Sequence, residues 1–143
     1  MAAVQAMRHI LGKEQRDEVT KSITAVLFER QEIVFAFVHG SFLTGSVFRD
    51  IDLGIFVEGI DRADFWDYEA EIALKIEETL SRRFLVEPKV INKAPLSFCY
   101  HVIRGQLLFS RDEEFLVEFM VRVARGYLEM APIRHRYIAE AMA

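Results

Sequence analysis

Six consecutive residues, Ile33-Val34-Phe35-Ala36-Phe37-Val38, are apolar and mostly β-branched or aromatic. A run of that kind reads as a strand buried on both faces. Such a strand needs apolar cover on two sides, so it must sit inside a layered fold. It is followed at once by Gly40-Ser41, and then by Asp50-Ile51-Asp52, which opens a second apolar run ending at Val57. Side chains alternate faces along a strand, so these two carboxylates point the same way, with Cβ atoms roughly 6–7 Å apart. That spacing suits oxygen-liganded cations such as Mg²⁺, which in two-metal sites lie about 3.5–4 Å apart. The Gly-Ser turn upstream offers backbone N–H groups and a hydroxyl to phosphates. The bland alternative is that Asp50 and Asp52 are solvated or cap a turn. Against it, Asp52 leads straight into Leu53-Gly54-Ile55-Phe56-Val57, where an unpaired carboxylate is costly and a cation is the expected partner.

The rest of the chain supplies the layers. From Glu14 to Arg30 the spacing of Val19, Ile23, Val26 and Leu27 predicts an amphipathic helix. Phe42–Val47 is expected to form a short helical turn. Phe65, Tyr68, Ile72, Ile76 and Leu80 predict a long helix from Asp61 to Arg83, started by Asp61 or Asp64 as cap. Leu85–Ile91 is a third strand; Pro88 lacks a ladder N–H and so assigns it to a sheet edge. A short helix is expected between Pro95 and Ile103, and a short strand over Gln106–Phe109. Ser110-Arg111-Asp112-Glu113 has the form of a capping box opening a helix that runs to about Met130. In that last helix only a narrow stripe is polar (Glu114, Glu118, Arg122, Arg125, Glu129), so it is either central to the core or shared with a partner. The order gives an α/β fold: a small mixed β-sheet flanked by helices, with a C-terminal helical tail.

Length and composition narrow the class. A chain of 143 residues suits one domain, expected as a core over about 14–110 and a tail over about 111–140. With 52% apolar and 28% charged residues it is expected to be globular. A net charge of −4 gives no general reason to bind nucleic acid, and direct binding of it is not expected. The lone Cys99 allows no internal disulfide and reads as a small core residue. No apolar stretch is long enough to span a membrane, and the expected location is the cytoplasm.

A third acid is needed for a two-cation site, and the third strand offers Glu87; the alternative is a solvated acid paired with Lys89. Arg49 reads either as a phosphate contact or as the charge partner of Asp50. His39 reads as a strand-end residue. Taken together, Gly40-Ser41, Asp50-Ile51-Asp52 and an acid on a third strand resemble the DNA polymerase beta-type nucleotidyltransferase superfamily. The likeness is greatest to its minimal nucleotidyltransferase (MNT) domains, and Val86–Pro95 and Tyr100–Asp112 also follow that pattern.

The resemblance implies the polymerase beta-like fold and an ATP-using, Mg²⁺-dependent transfer of AMP. Asp50, Asp52 and Glu87 would be the catalytic acids and ligands of two Mg²⁺ ions. Gly40, Ser41, Gly45 and Arg49 would bind the nucleoside triphosphate, with Thr44 and Ser46 as weaker contacts. MNT proteins commonly act as antitoxins of HEPN-type ribonuclease toxins, so such a toxin is the expected partner, through the C-terminal helix; a homo-oligomer through that helix is the other arrangement. Two departures stand out: only eight residues separate Ser41 from Asp50, fewer than in many members, and the third acid is Glu rather than Asp. Both leave room for an inactive binding module that neutralises its partner by complex formation alone.

Overall fold

The computed structural model describes residues 7–45 and 47–142. The elements are α1 (Lys13–Phe28), β1 (Ile33–His39), α2 (Ser41–Thr44), β2 (Asp50–Val57), α3 (Phe65–Thr79), β3 (Leu85–Val90), α4 (Leu96–Ile103), β4 (Gln106–Ser110), α5 (Glu113–Glu129) and α6 (Ala131–Met142). Four strands form one sheet in the order β3-β2-β1-β4. β1 is antiparallel to both neighbours, while β2 and β3 run parallel and are joined through α3. This is the mixed sheet flanked by helices that the sequence predicts.

β1 is buried along its whole length, because helices cover both faces. On one face, Ala36 and Val38 of β1 and Ile51, Leu53 and Ile55 of β2 pack with Val19, Ile23 and Leu27 of α1 and Ile72 and Ile76 of α3. On the other, Phe35 and Phe37 pack with Cys99 and Val102 of α4 and Leu116, Phe119 and Val123 of α5. The period of two therefore divides β2 cleanly: its odd-numbered residues enter the first core, and Asp50, Asp52, Gly54 and Phe56 face the α4–α5 side. Gly54 is required there, since a Cβ at this position would stand 2.4 Å from Cγ1 of Val102. Cys99 is buried as expected, and burial raises its thiol pKa.

β3 is the edge strand that Pro88 foretold. Its outward N–H groups do not face solvent: that of Val86 donates to the buried carboxylate of Glu77 (2.9 Å), and that of Val90 to Glu69 (2.7 Å). Pro88, between them, has no N–H to satisfy. Both acids come from α3.

Three expectations need correction. The helix over 61–83 is shorter: a 3₁₀ turn at Arg62–Asp64 precedes α3, which ends at Thr79. Ser81 and Arg82 take left-handed conformations (φ 58° and 56°), which no helix continues through. Neither Asp61 nor Asp64 caps through its side chain. The last long helix is capped by Asp112, whose carboxylate accepts the N–H of Phe115 (3.0 Å), rather than by Ser110. After Glu129 the chain continues into α6. Val117, Val121 and Leu128 of α5 stay exposed, as do Ile133, Tyr137 and Ile138 of α6. No helix among the described residues is long and apolar enough to cross a membrane.

Candidate active site

The two acids of β2 and the acid of β3 meet at one end of the sheet. Parallel pairing sets Asp52 beside Glu87, and antiparallel pairing sets it beside His39. Asp50, Asp52 and Glu87 lie on one face because each is an even step from the next in its strand or in register across the ladder. Ile51, by contrast, is wholly buried on the opposite face.

The carboxyl of Asp52 is pushed up from 3.8 to about 6, by burial first, then by the charges of Glu87 and Asp50, and it is hydrogen-bonded to Glu87. Two carboxylates that close need either a shared proton or a cation between them. Among the described residues no three acid, histidine or cysteine side chains form a finished metal cage; the acids instead stand in a row across adjacent strands. Their oxygen donors and mutual repulsion fit Mg²⁺, a hard cation that keeps several waters and takes one or two carboxylates.

Gly40 ends β1 with φ 84°, a region that favours glycine, and a Cβ here would stand 2.6 Å from Oδ2 of Asp52. The missing side chain is thus what lets the Gly-Ser turn approach the acid. Ser41 follows as the first residue of α2. Ser41, Arg49, Asp50 and Asp52 line a cavity of about 350 Å³, together with Arg8. On the other side of Asp52 a second cavity, of about 310 Å³, is lined by Glu87, Lys89, His39, Phe98 and His101. Asp52 belongs to both.

Gly45 is not part of this arrangement. It closes α2 in a left-handed conformation (φ 77°), and a Cβ there would meet the guanidinium of Arg16 at 2.5 Å; its requirement for glycine is structural. Thr44 lines a third cavity with His39, Gly40, Ser41 and His101. Ser46 lies outside the described residues.

Sequence reasoning missed Arg8, Phe98 and His101, which line these cavities. His39 is the expected strand end, the last residue of β1; it is 5% exposed, and neither ring nitrogen has a hydrogen-bond partner among the described residues. Burial, with His101 beside it, lowers its pKa to about 4, so the ring is neutral near neutral pH. Its ring centroid is 5.1 Å from that of His101 and 5.7 Å from that of Phe98, both on α4. Phe98 and His101 gave no local signal, because only the packing of α4 on the sheet brings them beside His39 and the acids. Arg8 precedes every predicted element.

Comparison with known proteins identifies the family and the fold. The family model described as polymerase beta, nucleotidyltransferase, matches residues 21–114. No curated protein matches the chain. In fold it is similar to a chain of the Shewanella oneidensis complex of a tri-AMPylated HEPN toxin with an MNT antitoxin: 19% identity, TM-score 0.66, covering 90% of this chain and 99% of that one. It is similar to the MntA–HepT toxin–antitoxin structure at 19% identity and TM-score 0.65, over 89% and 99% of the two chains. A toxin–antitoxin structure with AMP-PNP matches at 21% identity and TM-score 0.67, over 87% and 98%.

Proposed function

The chain belongs to the polymerase beta nucleotidyltransferase family, and we propose that it transfers AMP from ATP to a hydroxyl of a partner protein, with Mg²⁺, as the antitoxin of a HEPN-type toxin. The observation that carries this reading is the acid row: Asp52 paired in register with Glu87, and Asp50 on the same face, with Asp50 and Asp52 lining a cavity that also holds Ser41 and Arg49. An acid row with a raised carboxyl pKa is unfavourable in the free protein and favourable once a divalent cation joins it.

Asp50 and Asp52 would hold the cations, with Glu87 completing the set. When bound, Mg²⁺ supplies electrostatic stabilisation of the charge that develops on the phosphates. The hydroxyl of Ser41 and the N–H groups of the Gly40-Ser41 turn would hold the β- and γ-phosphates, and Arg49 would add a guanidinium from the same cavity wall. The acceptor oxygen attacks the α-phosphorus: its bond to phosphorus forms as the bond from the α-phosphorus to the bridging β-oxygen breaks. Pyrophosphate leaves, and Glu87 takes the hydroxyl proton. The cavity lined by Glu87, Phe98 and His101 adjoins Asp52 and would receive the acceptor.

A protein acceptor is supported by the apolar residues left bare on α5 and α6, Val117, Val121, Leu128, Ile133 and Tyr137 among them. The shared fold with solved antitoxin complexes, one of them with an AMPylated HEPN toxin, supports the same class of partner. That surface equally supports a second reading, neutralisation by complex formation without turnover. Incubation with Mg²⁺, α-labelled ATP and the neighbouring gene's product distinguishes the two. Transfer of label that Asp50→Asn and Asp52→Asn both abolish is the expected result. Tight complex formation without any transfer would overturn the enzymatic reading and leave the binding module.

A further inference from the structure

His9, ahead of α1, is tied to the segment that leads into the acid-bearing strand β2. His9 and Phe48 form an antiparallel bridge, with the N–H of His9 donating to the carbonyl of Phe48 (2.7 Å) and that of Phe48 to the carbonyl of His9 (2.9 Å). The His9 ring packs edge-on against Phe84, 4.8 Å between centroids, and lies 5.5 Å from the ring of Phe48. Phe84 is 2% exposed and immediately precedes the strand that carries Glu87. The attachment is therefore built from two backbone hydrogen bonds and an aromatic cluster.

This bridge fixes the position of Arg8. In an antiparallel pair the residue before His9 stands across from the residue after Phe48, so Arg8 faces Arg49. Like charges directly across from one another are destabilising, and among the described residues neither guanidinium forms an ion pair. Both line the cavity that holds Ser41, Asp50 and Asp52. Two cations set opposite each other, with no acid paired to either, make a site for a ligand of high negative charge.

We propose that Arg8, held by the His9–Phe48 bridge, is a binding residue for the β- and γ-phosphates of the nucleoside triphosphate and forms with Arg49 a two-guanidinium clamp. The assignment rests on the nucleotidyltransferase reading of the acid row. It also accounts for the short connection between Ser41 and Asp50: a loop of eight residues has few groups of its own to wrap a triphosphate, and the second cation comes from another part of the chain. The guanidinium suits the role because it offers paired N–H donors to phosphate oxygens in a fixed plane.

Calorimetric titration of the full chain in Mg²⁺ with ATP, with inorganic tripolyphosphate and with AMP tests this. Arg8→Gln should weaken ATP and tripolyphosphate by roughly ten- to a hundredfold while moving AMP less than about twofold, the size expected for a lost charge-assisted contact. Arg8→Lys should fall between, since it keeps the charge and loses the fork. Lys13→Ala, which removes an exposed charge paired with Asp17 on α1, should change none of the three. Equal affinities for Arg8→Gln and the native protein would overturn the assignment and leave the nucleotidyltransferase reading intact. Loss of AMP binding in parallel with ATP, in a variant of unchanged melting temperature, would also overturn it. If the native protein bound neither ATP nor tripolyphosphate, both readings would fall.

Discussion

Asp52→Asn should make the metal-free protein more stable and inactive at once. In the native protein the Asp52 carboxyl is raised from 3.8 to about 6 by burial, Glu87 and Asp50. The folded state therefore holds this proton more tightly than the unfolded chain does. Below the unfolded value both states are protonated and Asp52 costs nothing. As pH rises from there through about 6, the folded state loses stability, and near neutral pH the penalty is fully present. The displacement corresponds to roughly 3 kcal/mol, which solvent screening at this partly open position reduces to about 1–2 kcal/mol. Asparagine removes the charge and can still donate an N–H to Glu87. In EDTA near neutral pH, thermal unfolding of Asp52→Asn should rise by about 3–8 °C for a domain of this size. In acid, below the ordinary carboxylate range, the two proteins should melt together. Added Mg²⁺ should raise the native protein and not the variant, closing the gap. AMP transfer should be lost at every pH. A variant less stable than native at neutral pH, or a gain of the same size in acid, would refute the claim that repulsion and burial at Asp52 oppose folding.

Gly40→Ala combines a left-handed backbone with a Cβ 2.6 Å from Oδ2 of Asp52; it should cost about 1–3 kcal/mol and abolish transfer, seen by denaturant unfolding and label incorporation. His39 should titrate at about 4, followed by imidazole NMR shifts in the metal-free protein. Because its folded pKa is depressed, its contribution to stability is present above the unfolded value of 6.5 and is lost as pH falls through the folded one; a midpoint near 6.5 would refute its burial. Val121→Asp, on the exposed face of α5, should leave thermal stability within about 0.5 kcal/mol and weaken partner binding in a pull-down with the HEPN-type protein. Unchanged binding would move the interface elsewhere.

The strands were the most legible part of the chain. The run Ile33–Val38 reads as doubly buried because no polar residue interrupts it, and Pro88 marks an edge because it cannot donate to a ladder. Asp50, Asp52 and Glu87 could be grouped because period-two alternation survives tertiary packing. Helix ends were less legible. The apolar spacing of α3 continues into Leu80, so nothing in the pattern announces the left-handed Ser81 and Arg82. Ser110 and Asp112 are both good caps, and only the path out of β4 selects Asp112. What the site owes to distant packing was not legible at all. Arg8 reaches the cavity through the bridge between His9 and Phe48, and His101 through the packing of α4 on the sheet, against His39; neither leaves a local pattern.

The capped edge of β3 has a consequence for the chemistry. Glu87 points at Asp52 only in one register, and a slip of one residue would turn it toward α3 and bring Val86 and Val90 out of the core. Edge strands are held from one side only and are the ones most free to slip. Here Glu77 and Glu69 grip Val86 and Val90 from the outside, and the proline between them offers an incoming strand nothing to pair with. The third acid is thus kept in place by two acids that never meet a substrate. Because the same grip occupies that edge, strand addition there is closed, and partners must approach over helices or along β4.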